Sequence, residues 1–217
     1  GTTEVQTGTL ALNNGGSSTG TFAVSGGAAL TFGGGAHDLA GASTVSGAGA
    51  VNVTAGTVNI GGAYTASGTV VNGGRLNVSS AVSIGALTLT SGTVGPPGPL
   101  PVTGTMDWTG GLLAGSGSLV IDPGAELRLS GDTGKTVAES PTLDNRGTLT
   151  WTGQGDVVYQ QDAQTFDLLN SGTFEIRNDR LMYRHAVFNG TFTFTNTGTV
   201  RKLVGAGTSS LDQLTFT

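Results

Sequence analysis

The chain has 217 residues, no cysteine, 39 glycines and a formal net charge of −5. The length suits one large all-β domain or two small ones. The missing cysteine excludes disulfides and thiolate metal sites, and the acidic balance is a poor match for nucleic-acid phosphates. Charged residues make up only 11% of the chain, which is not the composition of a disordered segment. No apolar run of about 18 residues occurs, so no membrane insertion is expected of this segment.

In chain order a five-residue unit recurs: Gly, small or polar, apolar, variable, apolar. It reads GTLAL from Gly8, GTFAV from Gly20, GAVNV from Gly49, GTVNI from Gly56, GRLNV from Gly74 and GALTL from Gly85. It continues as GTMDW from Gly104, GSLVI from Gly117, GTLTW from Gly147, GTFEI from Gly172 and GTFTF from Gly190. Side chains alternate across a strand, so the third and fifth positions share one face. Leu10/Leu12, Val58/Ile60, Leu149/Trp151 and Phe192/Phe194 thus form an apolar face, and Thr9/Ala11, Thr57/Asn59 and Thr148/Thr150 a polar one. Trp151 and Trp108 fall at the apolar fifth position and are expected inside, leaving Thr148, Thr150 and Thr152 outside.

Corresponding glycines lie 18 to 25 residues apart, as from Gly56 to Gly74 or from Gly147 to Gly172. A period of that length points to a solenoid. The expected fold is all-β: a right-handed parallel β-helix of about ten coils of 18–25 residues, roughly 50 Å long at ~4.8 Å per coil. The alternative is a β-sandwich or jelly roll, which also uses short alternating strands. Glycine disfavours helix, although the Gly- and Pro-free stretches 156–171 and 173–189 leave room for a short helix or excursion. In LDNRGT, LLNSGT and FTNTGT an Asn stands two residues before the Gly. At a coil corner Asn tolerates left-handed backbone, and stacked copies form an amide ladder.

A single solenoid is expected to have three parts. Residues 1–95 are a low-charge repeat, residues 96–103 a Pro-rich corner or bend, and residues 104–217 a more charged and aromatic part. Only Glu4, Asp38 and Arg75 are charged before residue 104. A specific site is therefore expected in the second part. The stretch GPPGPLP, residues 95–101, is not expected to pair as an ordinary central strand, because proline lacks the ladder N–H. Near the end, GTVRK from Gly198 puts Lys202 at a core position, which signals that the pattern breaks down there.

Repeated N-x-G-T-apolar-x-apolar units on a Gly/Thr/Asn background resemble the passengers and stalks of exported bacterial surface proteins, of the filamentous-haemagglutinin-like adhesin and autotransporter type. The resemblance spans nearly the whole chain and lies in repeat texture. It implies a right-handed β-helix, secretion or cell-surface localisation, and a role in display, adhesion or matrix. The implied partners are host, cell-surface or matrix glycans or proteins, or further copies of the chain. The chain starts at Gly1 without a leader, so any export signal is expected to have been removed or to lie elsewhere. Neighbouring domains or self-association are expected to cover the N-terminal coil.

Chemistry-bearing patterns are sparse. Asp in this sequence does not follow a calcium β-roll, His37 and His185 stand in no ligand motif, and no nucleophile or phosphate-loop signature occurs. No metal or cofactor is expected, and the sequence leans against an enzyme. Asp107/Glu126 and Asp156/Glu175 are each 19 residues apart, about one coil. That spacing makes them the carboxylate pairs to inspect for glycoside hydrolysis. The segment RNDRLMYRHAVF gathers Arg177, Arg180, Tyr183, Arg184 and His185, groups suited to holding an acidic sugar or moving a proton. Together with Asp156 and Glu175 these are the candidate ligand-binding residues. The reading is a structural or adhesive module; the alternative is a carbohydrate-binding or carbohydrate-cleaving β-helix of the lyase or glycosidase kind.

Overall fold

The computed structural model describes residues 1–79 and 82–217. Among them the chain is built of strands with no helix, wound as a parallel β-solenoid of about ten turns. The stretches 156–171 and 173–189 hold strands and wide corners, and no helix interrupts them. Their inward residues keep a spacing of two, as in the buried Phe166, Leu168 and Asn170, and that period suits a strand.

Three faces run the length of the solenoid. The Gly unit builds all of them. Thr148–Trp151 lies on the second face, Thr57–Ile60 on the third and Thr191–Asn196 on the first. Every described pairing joins a strand to its equivalent one coil on, in parallel. In the middle coils one strand runs round corners and serves more than one face: Thr44–Val53 serves two, and Ala63–Val78 all three. The ladder register slips at such corners, for example between Gly47 and Ala50. The coil offset is 18 residues between Asn59 and Asn77 and 26 between Glu175 and Arg201. The added length sits in corner segments near residues 160–164 and 185–190.

Inward positions stack into columns. On the second face Leu12, Phe32, Val53, Val71, Leu89, Trp108, Leu129, Trp151 and Ile176 lie one above another. Trp108 and Trp151 are buried, as their fifth-position placing predicts. Neither indole N–H finds a partner. An orphaned donor costs about 1–3 kcal/mol, and the 150–250 Å² that such a ring buries offsets it. Lys202 takes the next place in this column, opposite Ile176. Its ammonium turns away from the core to Asn178 O at 2.7 Å and Asp179 Oδ1 at 2.6 Å.

The corner between first and second faces carries the expected amide ladder. Asn145 Nδ2 donates to Asn170 Oδ1 at 2.6 Å, and Asn170 Nδ2 to Asn196 Oδ1 at 2.7 Å. Each amide also reaches a backbone carbonyl, Thr173 O or Thr199 O. The ladder stops below Asn145, where Ile121 occupies the equivalent place, and Asn145 Oδ1 is left unpaired.

The Pro-rich segment behaves differently from expectation in one respect. Pro96 and Pro97 lie in a corner, but Pro101 belongs to the strand Leu100–Trp108 and sits opposite Val120. It is the second residue of that strand, close to the strand start where proline is tolerated. The ladders continue past it on all three faces.

Candidate functional site

Among the described residues, outward side chains form several polar grooves, two of which carry paired charges. The first follows the third face and the corner beyond it. An outward column begins with Asp38, Asn59 and Asn77, held in one direction: Asn77 Nδ2 donates to Asn59 Oδ1 at 2.7 Å, and Asn59 Nδ2 to Asp38 Oδ1 at 2.6 Å. Arg75 Nε donates to Asn77 Oδ1 at 2.9 Å. The next coil then offers Gly95, Pro96 and Pro97, and the one after it Gly115 and Ser116. These small residues leave a groove of about 510 Å³. Arg75 lies across Gly95, where an added Cβ would come within 2.5 Å of Nη2. The far wall is Glu139, Ser140 and Gln164.

Glu139 is fixed from several sides. Its backbone has φ of 62°, in the left-handed region, which costs a non-glycine residue about 1–3 kcal/mol. Its N–H donates to Gln161 Oε1 at 3.2 Å, its carbonyl accepts from the Tyr159 hydroxyl at 3.1 Å, and its Oε2 accepts from the Gly115 N–H at 2.6 Å. Burial, with Asp167 nearby, pushes the Tyr159 hydroxyl up to about 12, so it stays a donor. Arg75 faces Glu139 at 3.4 and 3.5 Å. That is longer than the 2.7–2.9 Å of a close charge-assisted pair.

The second groove, about 560 Å³, lies on the second face and is lined by Glu126, Arg128, Thr148, Thr150, Thr152, Glu175 and Arg177. Its charges are paired. Arg128 meets Glu126 at 2.7 Å and Asp107 at 3.9 Å. Glu175 takes Arg177 at 2.8 Å and also bonds Arg201. The hydrogen bond from Arg128 holds the Glu126 carboxyl below the usual range. Arg201 and then Arg177 do the same for Glu175. Both carboxylates stay ionised at neutral pH, so neither is poised as a general acid, which needs a raised pKa.

The carboxylate pairs named from spacing are not free pairs. Asp107 stands opposite Arg128, which lies between it and Glu126. Asp156 and Glu175 are on different faces, because the coil there is 25 residues long and not 19: Thr148 is opposite Thr173, and Asp156 reaches Leu181 N–H across an offset of 25. Asp156 instead pairs with Arg180 at 3.0 Å.

The segment from Arg177 to Phe188 turns a corner, which divides the predicted cluster. Arg177 and Glu175 belong to the second-face groove, while Asp156 and Arg180 pair at the start of the third face. Tyr183 faces outward opposite Val158 and Asp212, with the His185 ring 6.4 Å away. Arg184 turns to Phe188 O and to Gln213 Oε1 at 3.3 Å. No single cavity gathers these side chains.

Arg75, Glu139 and Lys135 were not legible as special residues. Arg75 carried one signal, as one of three charges in the first 103 residues. Lys135 stands inward on the third face, opposite Gly111 and Val157. It is fully buried, its Nζ donating to Thr133 O at 3.0 Å and lying 3.5 Å from Thr109 O. Burial pulls its ammonium down to about 8.

No group of three or more metal-ligating side chains occurs among the described residues. No protein-family model matches the chain, and no curated protein or solved structure matches it.

Proposed function

We propose that the chain is a rigid structural and adhesive module of an exported surface or extracellular protein, presenting polar faces to a partner. One observation carries this reading: among the described residues, parallel ladders on three faces enclose an apolar core, while most outward arginines are spent on neighbouring carboxylates. Parallel pairing along the axis makes a stiff rod, and each coil adds another row of Thr, Asn and paired charges to its outside. The partner is a cell-surface or matrix glycan or protein. The repeat texture shared with exported adhesins points the same way.

Adhesion of beads coated with the chain to cells and to immobilised matrix components tests the reading. Saturable adhesion that the soluble chain competes away is expected. Turnover of a polysaccharide, with no adhesion, would replace the module by an enzyme. Of the carbohydrate readings, binding is favoured over cleavage, because Glu126 and Glu175 are both held ionised by arginines. Arg180→Ala and Tyr183→Ala report on the third face: lost adhesion in either would place the contact there.

A further inference from the structure

The groove between Arg75 and Glu139 has features that building the coil does not require. Its floor is a run of small residues, Gly95, Gly115 and Ser116, with the exposed ring of Pro97 beside them. Its walls are the amides of Asn59, Asn77 and Gln164, a guanidinium and a carboxylate. It runs from Asn59 to Gln164 across successive coils, about 24 Å at ~4.8 Å per coil. Glu139 is kept in a left-handed conformation by two side-chain contacts and places its carboxylate over the floor. Strain maintained by surrounding contacts is a mark of a functional position.

We infer that this groove is a binding site for a neutral oligosaccharide lying along the solenoid axis. The chemistry of the walls selects the ligand. Adjacent sugar hydroxyls both donate and accept. Arg75 supplies donors, Glu139 and the Gln164 carbonyl supply acceptors, and the Asn59 and Asn77 amides supply donors on a fixed frame. The Arg75–Glu139 contact is long, at 3.4–3.5 Å, and the guanidinium's remaining N–H groups and the carboxylate's remaining lone pairs stay open to a hydroxyl seated beside the pair. The Pro97 ring offers an apolar surface for the C–H face of a sugar ring. One guanidinium against one carboxylate gives the groove no net charge, so a carboxylated sugar would meet Glu139 as well as Arg75. The size, about 510 Å³, lies within the range of ligand pockets.

This inference names the partner of the adhesive reading and rests on it only for its biological setting. The whole chain is applied to an array of neutral and acidic oligosaccharides, and hits are titrated by calorimetry. Wild type is expected to bind a neutral oligosaccharide. Arg75→Ala and Asn59→Ala are expected to weaken it at least tenfold, with the circular dichroism spectrum and melting temperature of each variant recorded alongside. Arg128→Ala, on the other face, is expected to bind as wild type does. Glu139→Gln keeps an oxygen for the Gly115 N–H, so it tests the charge without removing the wall, and a smaller loss is expected. Binding to no neutral glycan, a preference for acidic ones, or unchanged affinity in folded Arg75→Ala and Asn59→Ala would overturn the site. Bead adhesion that persists when Arg75→Ala and Asn59→Ala lose glycan binding would leave the adhesive module standing on another face.

Discussion

Asn170 is bonded to the coil on either side of it: it accepts from Asn145 and donates to Asn196 and to Thr199 O. Buried polar groups earn stability only while paired, and an orphan costs about 1–3 kcal/mol. Asn170→Ala takes one of two acceptors from the buried Asn145 amide, which keeps Thr173 O, and removes the donors to the half-buried Asn196 carbonyl and to Thr199 O. A loss of about 2–4 kcal/mol is expected in urea unfolding. Lys135 is the opposite case, a buried ammonium with two carbonyls and, among the described residues, no carboxylate in ion-pair range. Its folded pKa of about 8 lies below the 10.5 of a free lysine. The unfolded chain therefore binds more protons between those values, and the lysine's contribution to stability rises with pH across that window. It is at its least favourable below pH 8. Above pH 10 the buried hydroxyls of Tyr64 and Tyr159, both raised by burial, reverse the trend because the unfolded chain then loses protons first. Lys135→Met is expected to flatten the pH 8–10 rise and to stabilise the protein at pH 7 by about 2 kcal/mol. A Met variant less stable at pH 7 than wild type would mean that the two carbonyl bonds outweigh the desolvation.

At the scale of the element, the N-x-G corner divides its work between two residues. Asn lines the inside of the bend, and Gly forms an outer column in which Gly147, Gly172 and Gly198 stack. A Cβ on Gly172 would run into the carbonyl of Gly147, and one on Gly198 into that of Gly172. This close approach of backbones is what requires glycine. Gly172→Ala is expected to lower stability by about 2–3 kcal/mol, while Ser171→Ala, at an exposed neighbouring position, stays within about 0.5 kcal/mol. Equal effects of the two would refute the stacking account. These corners, the buried tryptophans and the parallel winding were legible in the sequence, because a spacing of two and a recurring glycine state them directly. The site was less so. RNDRLMYRHAVF looked like one cluster because its residues adjoin in sequence, yet the chain turns a corner inside it. Asp156 and Glu175 looked like neighbours because a coil of 19 residues was assumed where the chain uses 25. Arg75 and Glu139 are 64 residues apart, and no periodic signal links residues more than one coil from each other.

For the whole molecule, the ladders join each coil only to the coil above and the coil below, with Arg75–Glu139 a side-chain contact that reaches further, so stability is close to a sum of coil and nearest-neighbour terms. Register is then set one coil at a time. Removing a complete coil should leave every remaining ladder intact, whereas removing part of one puts inward residues outside. Thr199 is the partner of Thr173, and Arg201 that of Glu175, at an offset of 26 residues. Deletion of residues 173–198 therefore joins Gly172 to Thr199, which takes the place of Thr173 on Thr148. Leu149 then meets Val200 instead of Phe174, a smaller apolar contact in the same column. The shortened chain is expected to keep a β-sheet circular dichroism spectrum and one cooperative transition, with a lower melting temperature and a smaller unfolding m-value from the lost surface. Deleting only residues 173–185 removes Phe174 and Ile176 but keeps the first-face strand Thr191–Asn196, whose place on Thr165–Asn170 then cannot be reached in register. That chain is expected to lose cooperativity or to aggregate. Comparable transitions for the two deletions would show that the coils are not the independent units of the rod.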